Sequence, residues 1–294
     1  MAASFLSRWF RGPQEADSAV ESARAEIDRL AAARPDLAPV LGWLRDLLPD
    51  LATGESAPPP LGAERARAKL RESTPLLRDE PLTIDGGAFG QRWQRACAAL
   101  EARQPDGAAR ALGEAMRDGR LSHEATVRAV LEGRPEAVRQ RAEELGLDPG
   151  LTTTLLRFTL FPLFSALEES LAPLRAGVPW ERGYCPTCGS WPLLGELRGL
   201  DQSRYLRCGL CAAGWEVPRL WCPFCGSRDH EQLGLLHSEG EEATYRASTC
   251  DGCRGYVKVV TTLSALPRLH LLIADAATLH LDLAAAERGY TSHF

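Results

Sequence analysis

Two six-residue strings, CPTCGS at 185–190 and CPFCGS at 222–227, are nearly identical, and each has another Cys-x-x-Cys pair downstream: CGLC at 208–211 and CDGC at 250–253. These four pairs hold eight of the nine cysteines of the chain, all between residues 185 and 253. A Cys-x-x-Cys turn sets two sulfurs on one side of a tight loop, and two such knuckles complete a tetrahedral four-sulfur site. The spacing is C-x2-C-x19-C-x2-C for Cys185, Cys188, Cys208 and Cys211, and C-x2-C-x24-C-x2-C for Cys222, Cys225, Cys250 and Cys253. Both intervals leave room for a hairpin between knuckles, as ribbon-type sites require. Two mononuclear four-cysteine ions are expected. Pairing of adjacent knuckles closes the shorter loops, but the sequence leaves an interleaved pairing open. Gly189 and Gly226 directly follow the second cysteine of their knuckles, where they let backbone N–H groups approach the sulfurs.

Other cysteine chemistries fit less well. No knuckle is followed by histidine, since the next residues are Gly189, Ala212, Gly226 and Arg254, so covalent haem attachment fails. The compact C-x2-C-x2-C run of a ferredoxin cluster is missing. A hydrolytic metal site needs an open coordination position, and four cysteines leave none. A thioredoxin-type dithiol calls for one pair in a βαβ setting. Zinc and iron both suit four thiolates in a tetrahedron, and the CPxCG form is common to zinc ribbons and rubredoxins. The plain reading is two staples for a module too small to hold itself by its core.

The elements that must carry these knuckles fall into two textures. Residues 1–175 read as a helical domain. Ala19, Ala23, Ile27 and Leu30 recur at helical spacing up to Pro35, and Leu37, Val40, Leu41, Leu44 and Leu48 follow on one side of a second helix. TGESAPPP at 53–60 reads as a loop, and helical patterns resume at 84–104, 108–117, 122–132, 135–145 and 151–172. From 176 the chain turns into short β-leaning runs, RYLRC, WEVPRLW and GYVKVV, around the knuckles. A closing helix is expected over 275–290, with Leu279, Leu283 and Ala286 on its apolar face and Gly289 as its stop. The expected fold class is α+β, mostly α: a helical domain at 1–175, then two rubredoxin-like or zinc-ribbon modules and a closing helix at 176–294.

With 294 residues, 45% hydrophobic and 25% charged, the composition is that of a soluble globular protein of two domains. The amino-terminal MAASFLSRWFRGPQ lacks the apolar run of a secretory signal, and LTTTLLRFTLFPLFSAL (151–167) carries Arg157 and Pro162. No membrane insertion is expected, and a cytoplasmic location follows, where paired cysteines point to metal rather than disulfides. The net charge is −5, and residues 176–260 carry nine basic against ten acidic side chains. A nucleic-acid-binding ribbon needs a basic face, so that role is disfavoured. Cys97, between Ala96 and Ala98, reads as a small buried residue rather than a nucleophile. His230 and His237 read as polar hairpin residues, His270 and His280 as structural, and Trp191, Trp215 and Trp221 as packing around the knuckles. No phosphate-binding loop, dinucleotide fingerprint or nucleophile elbow is present, so no enzyme activity is expected. An electron carrier of rubredoxin type and a protein-binding accessory factor stay in contention.

The run YCPTCGSWPLLGEL, RYLRCGLCAAGWEVPRLWCPFCGS, CDGCRGYVKVV and finally DAATLHLDLAAAERGY resembles the formate dehydrogenase accessory protein family, FdhE. The likeness covers roughly residues 176–290; the helical part agrees in size and character alone. It implies a cytoplasmic maturation factor that binds the catalytic subunit of a molybdenum- or tungsten-dependent formate dehydrogenase before export or final assembly. It also tilts the two ions toward rubredoxin-type iron, with zinc as the alternative. All eight ligand positions are filled, while Ser248 stands where the resemblance leads one to expect an acidic residue.

Overall fold

Short polar caps and prolines cut the amino-terminal part into helices where the apolar periodicity runs. The computed structural model describes residues 13–54, 61–82 and 84–293. Its helices are α1 (Pro13–Ala33), α2 (Ala38–Ala52), α3 (Ala63–Arg71), α4 (Gly86–Glu101), α5 (Ala108–Arg117), α6 (His123–Leu131), α7 (Pro135–Glu144) and α8 (Pro149–Arg175). Three starts are capped by side chains: Asp85 accepts from Gly87 and Ala88, Ser122 from Ala125, and Asp148 from Leu151. The chain before residue 13 and most of TGESAPPP (55–60) lie outside the described residues, so the expectations placed there carry no structural outcome. Helix α3 was not foreseen; its AERARAKLR offers little apolar stripe beyond Ala66 and Leu70.

Helix α8 is the central strut. It is the one described helix long and apolar enough to cross a membrane, yet 67% of its most apolar window is buried inside the protein. Phe161 and Phe164 are fully enclosed, and α4 and α7 pack along it. This is the buried core helix that its length and interruptions suggested.

Beyond α8 come β1 (Pro192–Arg198), β2 (Ser203–Cys208), β3 (Gly214–Glu216), β4 (Leu233–Leu236), β5 (Tyr245–Cys250) and β6 (Tyr256–Thr262). They form one six-stranded sheet in the order β3-β2-β1-β6-β5-β4. Each ribbon is an antiparallel triplet, and the two triplets join where β1 pairs parallel with β6, Leu194 to Lys258 through Arg198 to Thr262. The ribbons therefore run in the same sense, and all four knuckles gather at one end of a single sheet. The expected pair of small modules is thus one continuous β unit.

The closing helix differs from expectation. Two helices occur, α9 (Arg268–Ala277) and α10 (Leu279–Glu287), bent by 48° at Thr278. The buried side of α10 is Leu281 and Ala285, while Leu283 is 67% exposed and Ala286 also faces outward. The reason lies across the sheet: Asp282 must turn inward to meet Lys258 and Tyr256. Helix α9 packs on α1 and α2, and a single apolar cluster runs from α1 through the first ribbon to α9.

Candidate metal centres

The four knuckles share one backbone frame. In each, the N–H of the first cysteine donates to the carbonyl five residues on: Cys185 to Ser190 (2.8 Å), Cys208 to Ala213 (2.9 Å), Cys222 to Ser227 (2.8 Å) and Cys250 to Gly255 (2.9 Å). Closing so small a loop forces the residue after the second cysteine into the left-handed region. Gly189 and Gly226 take φ of 84° and 77° there, and Ala212 and Arg254 take 60° and 57°. The glycines thus act through their backbone angle, which aims the next N–H at sulfur. Thr187 and Leu210 also donate to Cys185 and Cys208, each at 3.4 Å. A side chain held left-handed costs about 1 kcal/mol. Ala212→Gly is accordingly expected to raise stability by about that amount, read as a higher urea midpoint at unchanged slope.

Adjacent knuckles pair. Cys185, Cys188, Cys208 and Cys211 bring their sulfurs within 4.8 Å of one another, and so do Cys222, Cys225, Cys250 and Cys253. Cross-knuckle separations are 3.5 Å (Cys185–Cys211), 3.4 Å (Cys188–Cys208), 3.6 Å (Cys222–Cys253) and 3.7 Å (Cys225–Cys250). Sulfurs at about 2.3 Å from a central ion stand about 3.8 Å apart in a tetrahedron. Both clusters fit one ion with four thiolates. Burial pushes the thiols of Cys208, Cys211 and Cys222 up, whereas against burial, hydrogen bonds from neighbouring thiols and from the N–H groups of Ser190 and Ser227 hold Cys188 and Cys225 down. Four crowded thiols ionise together only with a cation among them.

The clusters differ in setting. All four cysteines of the first are buried. Its knuckle is clamped by the helical part: the N–H groups of Leu76 and Leu77 donate to the carbonyls of Pro186 (2.9 Å) and Thr187 (2.8 Å). From α8, the buried Glu168 accepts the Thr187 hydroxyl and pairs with Arg175, and burial raises its carboxyl to about 7. Tyr184 donates its hydroxyl to the Ser73 carbonyl at 2.8 Å. These clamps come from residues over a hundred positions upstream or from mid-helix, with no local signal to find them by. In the second cluster Cys225 is exposed and Cys253 half-buried.

An aromatic run ties the ribbons together, with ring centroids of Trp180–Tyr184, Tyr184–Trp191 and Trp191–Phe224 at 5.5, 6.0 and 5.5 Å. Trp215 donates to the Arg182 carbonyl at 3.0 Å, so Trp191 and Trp215 do pack the module. Where the ribbons meet, a Cβ on Gly183 would stand 1.7 Å from the Pro223 carbonyl oxygen. Gly183→Ala is expected to force the second ribbon off the first, costing about 3 kcal/mol in urea unfolding and speeding metal loss from the second cluster to a chelator.

The remaining candidates stay outside both clusters. Cys97 is buried against Gly113 and its thiol is pushed up to about 12 by burial, the state of an inert core residue. His230 is exposed, His237 lies 3.7 Å from Glu242, His280 lies 2.8 Å from Glu241, and His270 reaches Ser22 at 3.4 Å.

Comparison with known proteins agrees with this arrangement. Residues 184–219 match the family model described as FdhE, central domain, and residues 220–293 match FdhE, C-terminal domain. The chain is 32% identical over 240 residues to a protein FdhE homolog of Pseudomonas aeruginosa, an alignment covering 79% of this chain and 73% of that one. It is 42% identical over 113 residues to the homolog of Stutzerimonas stutzeri and 36% identical over 138 residues to protein FdhE of Escherichia coli O127:H6, spanning 36% and 42% of those relatives. The crystal structure of the FdhE protein from Pseudomonas aeruginosa superposes with a TM-score of 0.60 at 29% identity, over 92% of both chains. The chain belongs to the FdhE family.

Proposed function

We propose that this protein is a cytoplasmic accessory factor for formate dehydrogenase maturation, itself without enzymatic activity, which binds the catalytic subunit of that enzyme. Membership of the FdhE family is the observation that carries this reading. Cys185, Cys188, Cys208 and Cys211 hold one ion and Cys222, Cys225, Cys250 and Cys253 the other, with iron favoured and zinc the alternative. When bound, each ion crosslinks two knuckles, and iron would add a one-electron couple. The helical domain, 1–175, supplies the bulk against which the metal domain, 176–294, is held in place. The exposure of Cys225 favours a second reading, in which the outer cluster also passes electrons to the client.

The test is formate dehydrogenase activity in the source organism after deletion of the gene. Activity is expected to vanish while the catalytic subunit persists, to return with the wild-type gene, and not to return with Cys225→Ser. Unchanged activity after deletion would remove the accessory role. Reversible bleaching of an iron–thiolate spectrum at a physiological potential would support electron transfer.

A further inference from the structure

The sheet has one face backed by helices and another that is not fully covered. Lys258 on β6 points to Asp275 of α9 and Asp282 of α10, which fixes the helix-facing side. Alternation along the strands places Leu197, Val259, Arg204 and Arg246 on the other side, with Arg204 opposite Leu197 and Arg246 opposite Val259. Over these residues lies the 219–224 segment leading into the third knuckle, and between segment and sheet is a cleft of about 180 Å³. Cys222 and Cys250 of the second cluster form part of its wall.

Three arginines line this cleft, Arg204, Arg219 and Arg246, and among the described residues no aspartate or glutamate does. Arg204 is 4% exposed. Its Nη1 donates to the carbonyls of Arg219 (3.1 Å) and Trp221 (2.7 Å), while its buried Nε and Nη2 have no hydrogen-bond partner. Arg246 gives Nη2 to Thr261 at 3.2 Å and keeps a buried Nε unmatched. Arg219 is engaged by one weak bond to Gln202 at 3.3 Å. An enclosed guanidinium with two idle donors is costly unless something accepts from it. Nε and Nη2 together are the fork that grips a carboxylate or phosphate bidentately, and because both are closed off from solvent an occupant reaches them only as the 219–224 segment shifts.

We propose that the cleft is an anion-binding site, with Arg204 as its floor and Arg246 and Arg219 as its sides, that takes one carboxylate or similar oxyanion group. The cleft has room for a small anion or the head of an acidic side chain. Two sources share this chemistry, a free anion and a carboxylate carried on a protein segment. The site stands beside the exposed second cluster, so an occupant would lie against Cys222 and Cys250. The inference rests on the sheet geometry and not on the accessory role.

The test is isothermal titration of the metal-loaded full chain with acetate, with inorganic phosphate, and with a short end-blocked peptide bearing one glutamate. Saturable one-to-one binding of at least one probe is expected in the wild type. It should be weakened about tenfold in Arg246→Gln and abolished in Arg204→Met. Arg246→Gln removes no bond to the 219–224 segment, so it reports on binding even where Arg204→Met loosens the ribbon; circular dichroism and metal content per chain verify both. A peptide that binds more tightly than acetate assigns the site to a protein-borne carboxylate, and equal affinities assign it to a free anion. Absence of saturable binding for all three probes, or equal binding in wild type and Arg246→Gln, would overturn the proposal and leave Arg204 as a counter-charge to the second thiolate cluster.

Discussion

Cys188→Ser is expected to unfold the first ribbon and loosen the helices that clamp it, whereas Cys225→Ser is expected to release one ion and leave the helical core standing. The physical difference is where each cluster is rooted. Cys188 belongs to the knuckle whose Pro186 and Thr187 carbonyls receive Leu76 and Leu77, and whose Thr187 hydroxyl reaches Glu168 on α8. Its neighbours Leu193, Leu194 and Leu206 share the apolar cluster with α8 and α9. Structural four-thiolate ions contribute of the order of 10 kcal/mol to folding, comparable with the whole stability of a domain. Losing the first ion should therefore show as a loss of cooperative thermal unfolding, with a destabilisation beyond about 5 kcal/mol. The second cluster has Cys225 meeting solvent and Cys253 half-buried. Its loss should halve the metal content per chain and shift the melting temperature far less. Metal analysis and thermal melts on both variants check this, and identical behaviour would mean that the clusters are equivalent.

The second large effect is at Lys258. Its ammonium, 3% exposed, lies 2.7 Å from both Asp275 and Asp282 and 2.9 Å from the Asp275 carbonyl. Arg157 on α8 meets Asp275 from the other side at 3.2 Å. This network joins sheet, closing helices and core helix. Removing the lysine leaves two carboxylates facing each other at a buried junction, and Lys258→Met is expected to cost about 3–5 kcal/mol. The acid limb should change as well. Burial alone would raise the Asp275 carboxyl, but Lys258 and then Arg157 outweigh it and hold the group below its ordinary value of about 3.9. A carboxylate depressed on folding stabilises the protein above its unfolded value, and that contribution is lost as pH falls through the lower folded value. In Lys258→Met that depression is lost, so the acid-driven loss through this group shrinks and the variant's deficit against the wild type should be smaller at pH 4 than at pH 7. Urea midpoints at pH 7 and pH 4 measure both effects.

Much of the site was legible because Cys-x-x-Cys is a local device. Spacing named all eight clustered cysteines, and the loop length between knuckles favoured the adjacent pairing that the sulfur distances display. Helix α2 was legible from its apolar periodicity, and α8 from the length of its apolar run. What escaped was decided over distance. PLLGELR gives little β signal, and it becomes β1 because β2 and β6 flank it. YRASTC becomes β5 through its pairing with GYVKVV. The inward face of α10 is set by Asp282 seeking Lys258, so an apolar count on the helix alone selected the wrong side. Arg204 gave no sign of its role, since its burial depends on the 219–224 segment folding over it.

The parallel seam between β1 and β6 has a consequence for how the chain is born. Leu194 waits for Lys258, about 64 residues later, before its outer edge is paired. At ribosomal rates that interval lasts roughly 3 to 13 s. From Cys211 on, the last 47 residues of that interval, the first four thiols are complete while the strand beside them presents bare N–H and C=O groups, the condition under which edges recruit foreign strands. An ion captured early would hold this edge in register as a template on which the second ribbon closes. The direction of synthesis thereby completes the thiols of the first cluster at Cys211 and those of the second at Cys253, both before the seam strand Tyr256–Thr262 exists.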